Sequence, residues 1–143
     1  MDDTFHYLLM ATHLTLQKQL LDRLKGTGLT VGQPKVLDYL RDHNGASQKE
    51  IAKACHIEPG SLSVLLGRME DQGLLHRQAP AGDRRTLQVF LTETGTARME
   101  QVTQAFTALE AQAFQSIAPE DQATLSRVLQ AVYSNLSGER GDV

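Results

Sequence analysis

Asp83-Arg84-Arg85 stands at the end of a loop of turn formers, Ala79-Pro80-Ala81-Gly82, between two short runs, Leu74–Gln78 and Thr86–Leu91, that read as strands. A guanidinium at the tip of a two-stranded ribbon suits the narrow minor groove of DNA, where negative potential is enhanced. Arg85 is assigned to insertion there and Arg84 to the DNA backbone. An acid beside such a tip is unfavourable unless it orients an arginine through a charge-assisted bond, so Asp83 is assigned to positioning Arg85. The competing reading is a surface ion pair worth about 0–1 kcal/mol.

A second constellation lies upstream. In the helix pattern 59–72, Leu62, Leu65, Leu66 and Met69 recur at spacings of three and four and form an inward face. What remains is Gly60, Ser61, Ser63, Val64, Gly67 and Arg68, a face that is small and polar at its start and carries one cation later. Such a face can enter a major groove about 12 Å wide, and Ser61, Ser63, Val64 and Arg68 are the candidate base readers. Backbone N–H groups at Gly60 and Ser61 can meet a phosphate, since helix N-termini favour anions. Gln33, Lys35, Ser47 and Lys49 are candidate phosphate contacts, which position a protein without reading bases. Read alone, each fits a plain surface residue better.

These groups need a frame. Ser47 is a good N-cap for a helix over 48–54, with Glu50 at capping-box spacing. Pro59 opens the next helix and Gly73 stops it. A helix, a turn, a second helix and two strands, in that order, make a winged helix-turn-helix. Upstream, Phe5, Leu8, Leu9, Leu16, Leu20, Leu21 and Leu24 predict a long amphipathic helix over 3–25, ended by Gly26 and Gly28, and Val36, Leu37 and Leu40 a second over 33–42. Downstream, Thr92 caps a helix over 93–116, and Pro119 opens a last one over 119–136 with a stripe of Leu125, Val128, Leu129, Val132 and Leu136. The first and last helices carry more apolar surface than one small core needs. A helical dimer interface accounts for it better than packing within one chain, and a dimer matches a two-fold DNA site. The expected fold is mainly α: residues 31–92 form a DNA-binding winged lobe, 1–30 and 93–137 a helical dimerisation region, and 138–143 a flexible tail.

The formal charge of the 143 residues is −3, which excludes a protein that coats itself in nucleic acid. The charge is uneven: residues 47–92 hold six Lys/Arg against five acids, leaving −4 elsewhere. One cysteine excludes an intrachain disulfide, no apolar run approaches the roughly 20 residues of a membrane span, and no secretory signal opens the chain. A cytoplasmic protein is expected. With no Gly-rich phosphate loop, no metal-ligand cluster and no nucleophile beside a base, an enzyme is not expected and no cofactor is implied. A winged-helix module that binds protein rather than DNA is the alternative from another class.

The chain resembles the MarR (multiple antibiotic resistance regulator) family over nearly its whole length. The most specific parts are Asp83-Arg84-Arg85 followed by Leu91-Thr92-Glu93-Thr94-Gly95, which fits D-x-R, a strand and L-T-x-x-G, and the Gly73-Leu74-Leu75-His76-Arg77 step into the wing. The resemblance implies a homodimer whose terminal helices interlock while two winged lobes straddle a palindrome. It also implies a repressor released by a small, often aromatic, ligand, or in some members by cysteine oxidation or metal. The chain departs from the family at Cys55-His56, where Leu-Gly is common, and at Glu58, where Asp often caps the recognition helix. His56 is expected in the left-handed backbone region, which His tolerates better than most non-glycine residues.

For a switch, the resemblance implies an effector pocket between the dimer helices and the winged lobe, where His13, Gln17 and Tyr39 are candidate polar groups, each equally a surface or core-edge residue. A redox switch would rest on Cys55 alone, which reads better as a buried, inert thiol. A metal switch would rest on scattered His6, His13, His43, His56 and His76, of which His6 and His13 lie about 10 Å apart along one helix.

Overall fold

The computed structural model describes residues 2–83 and 86–138. Arg84, Arg85 and the tail beyond Gly138 lie outside the described residues. The element order is α1 (Phe5–Arg23), α2 (Gln33–Asp42), α3 (Gln48–Cys55), α4 (Pro59–Asp71), β1 (Leu75–Gln78), β2 (Gln88–Leu91), α5 (Glu93–Ala113) and α6 (Pro119–Ser137). The chain divides into two compact units, residues 1–109 and 110–143, with the division inside α5.

In the first unit the winged helix-turn-helix forms around Val36, Leu37 and Leu40 of α2, Ile51 of α3, and Leu62, Leu66 and Met69 of α4, all fully buried. Their three- and four-residue spacing in each helix is the reason these faces turn inward. Leu20 and Leu24 from the end of α1 and Val102, Ala105 and Leu109 of α5 join the same core. The N-terminal part of α1 does not: Phe5, Leu8, Leu9 and Leu14 stay exposed.

Local signals act where expected. The Ser47 hydroxyl accepts the Glu50 N–H at 3.1 Å, Gly73 ends α4 at φ 76°, and Thr92 Oγ1 accepts the Gly95 N–H at 3.0 Å to cap α5. His56 closes α3 in the left-handed region, φ 53°. The strands pair antiparallel, Leu75 with Leu91 through Gln78 with Gln88. They are shorter than expected, because pairing stops at Gln78–Gln88 and Thr86 and Leu87 precede β2. The loop before α3 adds to the outer edge of β2: Gly45 N–H donates to Val89 O at 2.8 Å and Val89 N–H to Ala46 O at 2.9 Å.

In the second unit, α6 starts at Pro119 with Glu120 and Asp121 in its first turn, where acids favour the helix dipole. It ends at Gly138, φ 70°. None of its residues is buried. Helix α5 ends at Ala113 rather than 116, because Ser116 takes a left-handed conformation, φ 63°, that a helix cannot continue through.

Candidate nucleic-acid interface

Helix α4 presents one wall to solvent because the opposite wall is core. Leu62, Leu66 and Met69 are buried and Leu65 packs against the cluster, which leaves Gly60, Ser61, Ser63, Val64 and Arg68 exposed and Gly67 half-exposed. Val64, at 60% exposure, is an apolar side chain held out in water with no packing role. At the helix start the Glu58 carboxylate accepts the Ser61 N–H at 3.3 Å and the Ser61 hydroxyl at 3.4 Å. Both Ser61 donors therefore face the cap, and a base contact by its hydroxyl has to compete with Glu58.

In the wing, Asp83 accepts the Thr86 hydroxyl at 3.2 Å, and its N–H donates to Pro80 O at 2.9 Å. The assignments of Arg84 and Arg85, and of Asp83 to Arg85, fall on positions outside the described residues. At the base of the wing lies a group the sequence reasoning did not single out. Arg77 reaches Glu70 and Gln48. Glu70 is an ion-pair partner: Arg77 Nη2 lies 3.2 Å from its Oε1. The Arg77 backbone N–H and guanidinium hold its carboxyl below the usual carboxylate range. The signal available in sequence was alternation, since Leu75 faces the core and Arg77 shares its side of the strand.

The candidate phosphate contacts separate into two pairs. Lys35 and Lys49 are exposed. Gln33 is 1% exposed; its Nε2 donates to Gln72 at 3.0 Å and its Oε1 accepts the Thr30 N–H at 3.2 Å. It ties α2 to the end of α4 and does not offer its amide to a ligand at the surface. Ser47 is 9% exposed and its hydroxyl is occupied in capping α3. Both are polar residues retained inside because their hydrogen bonds are made there.

A cleft of about 170 Å³ opens beside α1, lined by His13, Leu16, Gln17, Leu20, Val31, Pro34, Lys35 and Phe106 among others. His13 and Gln17 both line this cleft. Tyr39 is not among the lining residues; its ring stacks on His43 at 4.2 Å. Cys55 is buried, its thiol donates to Lys35 O at 3.6 Å, and desolvation raises its pKa. Burial favours the neutral thiol, so the stability it carries is complete at neutral pH and declines as pH rises above the ordinary thiol value. A thiol reagent should label the folded chain at least ~10-fold more slowly than the unfolded chain. Equal labelling rates would show a reactive cysteine and revive the redox reading. Among the described residues no three His, Cys, Asp or Glu side chains gather to hold a metal ion, and no helix is long and apolar enough to cross a membrane.

Residues 27–86 match the MarR family model. Two curated relatives come from Bacillus subtilis strain 168. The HTH-type transcriptional repressor MdtR is 29% identical over 94 residues, covering 66% of this chain and 61% of the relative. The organic hydroperoxide resistance transcriptional regulator is 31% identical over 94 residues, covering 66% of this chain and 64% of the relative. In both, the match spans less than two thirds of the relative's length. Among solved structures, the S. aureus MepR–DNA complex superimposes with a TM-score of 0.85 at 26% identity, covering 92% of this chain and 98% of that one.

Proposed function

The chain belongs to the MarR family, and from that premise we propose that it is a transcriptional repressor that binds, as a homodimer, a pseudo-palindromic site in double-stranded DNA. The observation that carries this reading is the solvent wall of α4. A fully buried stripe holds the helix rigidly, and its other side offers small and polar residues with Arg68, as a reader of base edges requires. That the MepR structure is a DNA complex supports the same use of the fold. Ser63, Val64 and Arg68 are the base readers, Lys35 and Lys49 the phosphate contacts, and Arg85 the minor-groove group, with Asp83 orienting it and Arg84 on the backbone. The cleft bearing His13 and Gln17 supports relief by a small aromatic ligand, being similar in size to an apolar cavity of about 150 Å³ that accepts benzene.

The test is binding to duplex DNA from the region upstream of the chain's own gene, followed across salt concentrations. Replacing Arg85 by alanine should weaken binding and lower the slope of log affinity against log salt by about one, the signature of one lost phosphate-neutralising cation. An unchanged slope in a folded variant would remove Arg85 from the interface. Failure of the wild-type chain to retain any upstream fragment at low salt would favour the protein-binding module.

A further inference from the structure

We infer that Arg77 is a positioning residue of the DNA-reading unit: its guanidinium fixes α4 against α3 and the wing, and does not itself contact phosphate. The inference rests on the DNA-binding reading above and assigns a role that reading leaves empty. In β1, Leu75 is buried and His76 exposed, so the two-residue period brings Arg77 to the inner side of the strand. There its side chain is only 19% exposed. Nη2 donates to Glu70 Oε1 at 3.2 Å, and the Arg77 backbone N–H donates to Glu70 Oε2 at 3.0 Å. Nη1 donates to Gln48 Oε1 at 3.1 Å and to the Ser63 carbonyl at 3.4 Å.

One planar fork thus joins the first residue of α3, a strand of the wing, and two points on α4. Ser63 and Glu70 are seven residues apart, about 10 Å along the helix axis, so the helix is held at two places and cannot pivot about either. The geometry needs a guanidinium, because the donors diverge in a fixed plane, which an ammonium on a flexible stem cannot reproduce. Ser63 lies on the exposed wall of α4, so the clamp acts directly behind the residues that face the groove. Electrostatically, Arg77 is spent: Glu70 opposes its charge within 3.2 Å, while Lys49 and Arg68 are exposed.

The test uses Arg77→Gln and Glu70→Gln in the full chain, with binding measured by fluorescence anisotropy on a labelled duplex that the wild-type chain selects from a random pool. Arg77→Gln should lose about tenfold in affinity, the worth of one displaced base contact, with the salt slope unchanged. Glu70→Gln should also weaken binding, although it removes a negative charge next to DNA. A contact based on charge alone gives the opposite sign. The inference is overturned if the Arg77→Gln slope falls by about one, if Glu70→Gln tightens binding, or if both variants bind like the wild type. Circular dichroism establishes folding. Should Arg77→Gln not fold, Glu70→Gln and Gln48→Ala carry the comparison, since both keep the cation. A wild-type chain that selects no duplex overturns the DNA-binding reading itself, before any variant is compared.

Discussion

Replacing Gly95 by alanine is expected to cost about 3 kcal/mol and lower the midpoint of thermal unfolding by roughly 10 °C. Gly95 is buried in the first turn of α5, and a methyl group built on it would overlap the carbonyl oxygen of Leu74. The obstacle is backbone, so no side-chain rotamer relieves it. The same stretch is tied by hydrogen bonds that hold the close approach in place. Thr92 N–H donates to Leu74 O at 3.1 Å, and the Thr92 hydroxyl donates to Gly73 O at 2.6 Å while accepting Gly95 N–H at 3.0 Å. Gly73 and Leu74 follow on α4, so this junction fastens the end of that helix to the start of α5. An added methyl has to push α5 away and break the Thr92–Leu74 bond, or strain both. A thermal midpoint within about 2 °C of wild type would mean that the junction yields easily, and the clasp would then lose its structural role.

The same residues show what a sequence discloses and what it withholds. Thr92 and Gly95 are legible as a cap and a glycine three positions on, because capping is a local event within one turn. The reason for the glycine is not legible: it lies in a carbonyl about twenty residues upstream in the chain. Ser47, Pro59, Gly73 and the inward stripe of α4 are read correctly for the same local reason. Gln33 is misjudged from its type, since an amide suggests a surface until Gln72, thirty-nine positions away, supplies a partner. In sequence Arg77 is only one of the six cations of residues 47–92, and the fold alone shows Glu70 and Gln48 around it. Family likeness alone groups Tyr39 with His13 and Gln17. In the structure its ring stacks on His43, one helical turn away, a pairing visible in the i, i+4 spacing. The wing arginines carried the firmest sequence argument, and they fall outside the described residues, so their test is functional.

On the proposed dimer, charging the exposed stripe of α6, with Leu125→Glu and Leu129→Glu together, should reduce the particle in solution from two chains to one. It should also lower affinity for a two-fold DNA site by about 10²–10⁴, the advantage that linking two binding units confers. The argument begins with the helix itself. Leu125, Val128, Leu129, Tyr133 and Leu136 recur at spacings of three and four, and all are exposed, Leu136 to 79%. Nineteen residues of ordinary composition make a marginal helix in water unless an apolar face is covered, and monomeric proteins seldom leave so continuous a stripe uncovered. A second copy of the chain is an occupant whose symmetry matches a palindromic site. Two carboxylates placed in that stripe would be buried without partners on pairing, a cost that outweighs the apolar gain. In contrast to Gly95→Ala, the exchange touches no residue of the winged core, so melting of the first unit should change little while mass and DNA affinity fall together. Light scattering and anisotropy distinguish the outcomes. A variant that stays paired would remove α6 from the interface, and one that is single yet binds with wild-type affinity would show that the DNA site needs only one winged lobe.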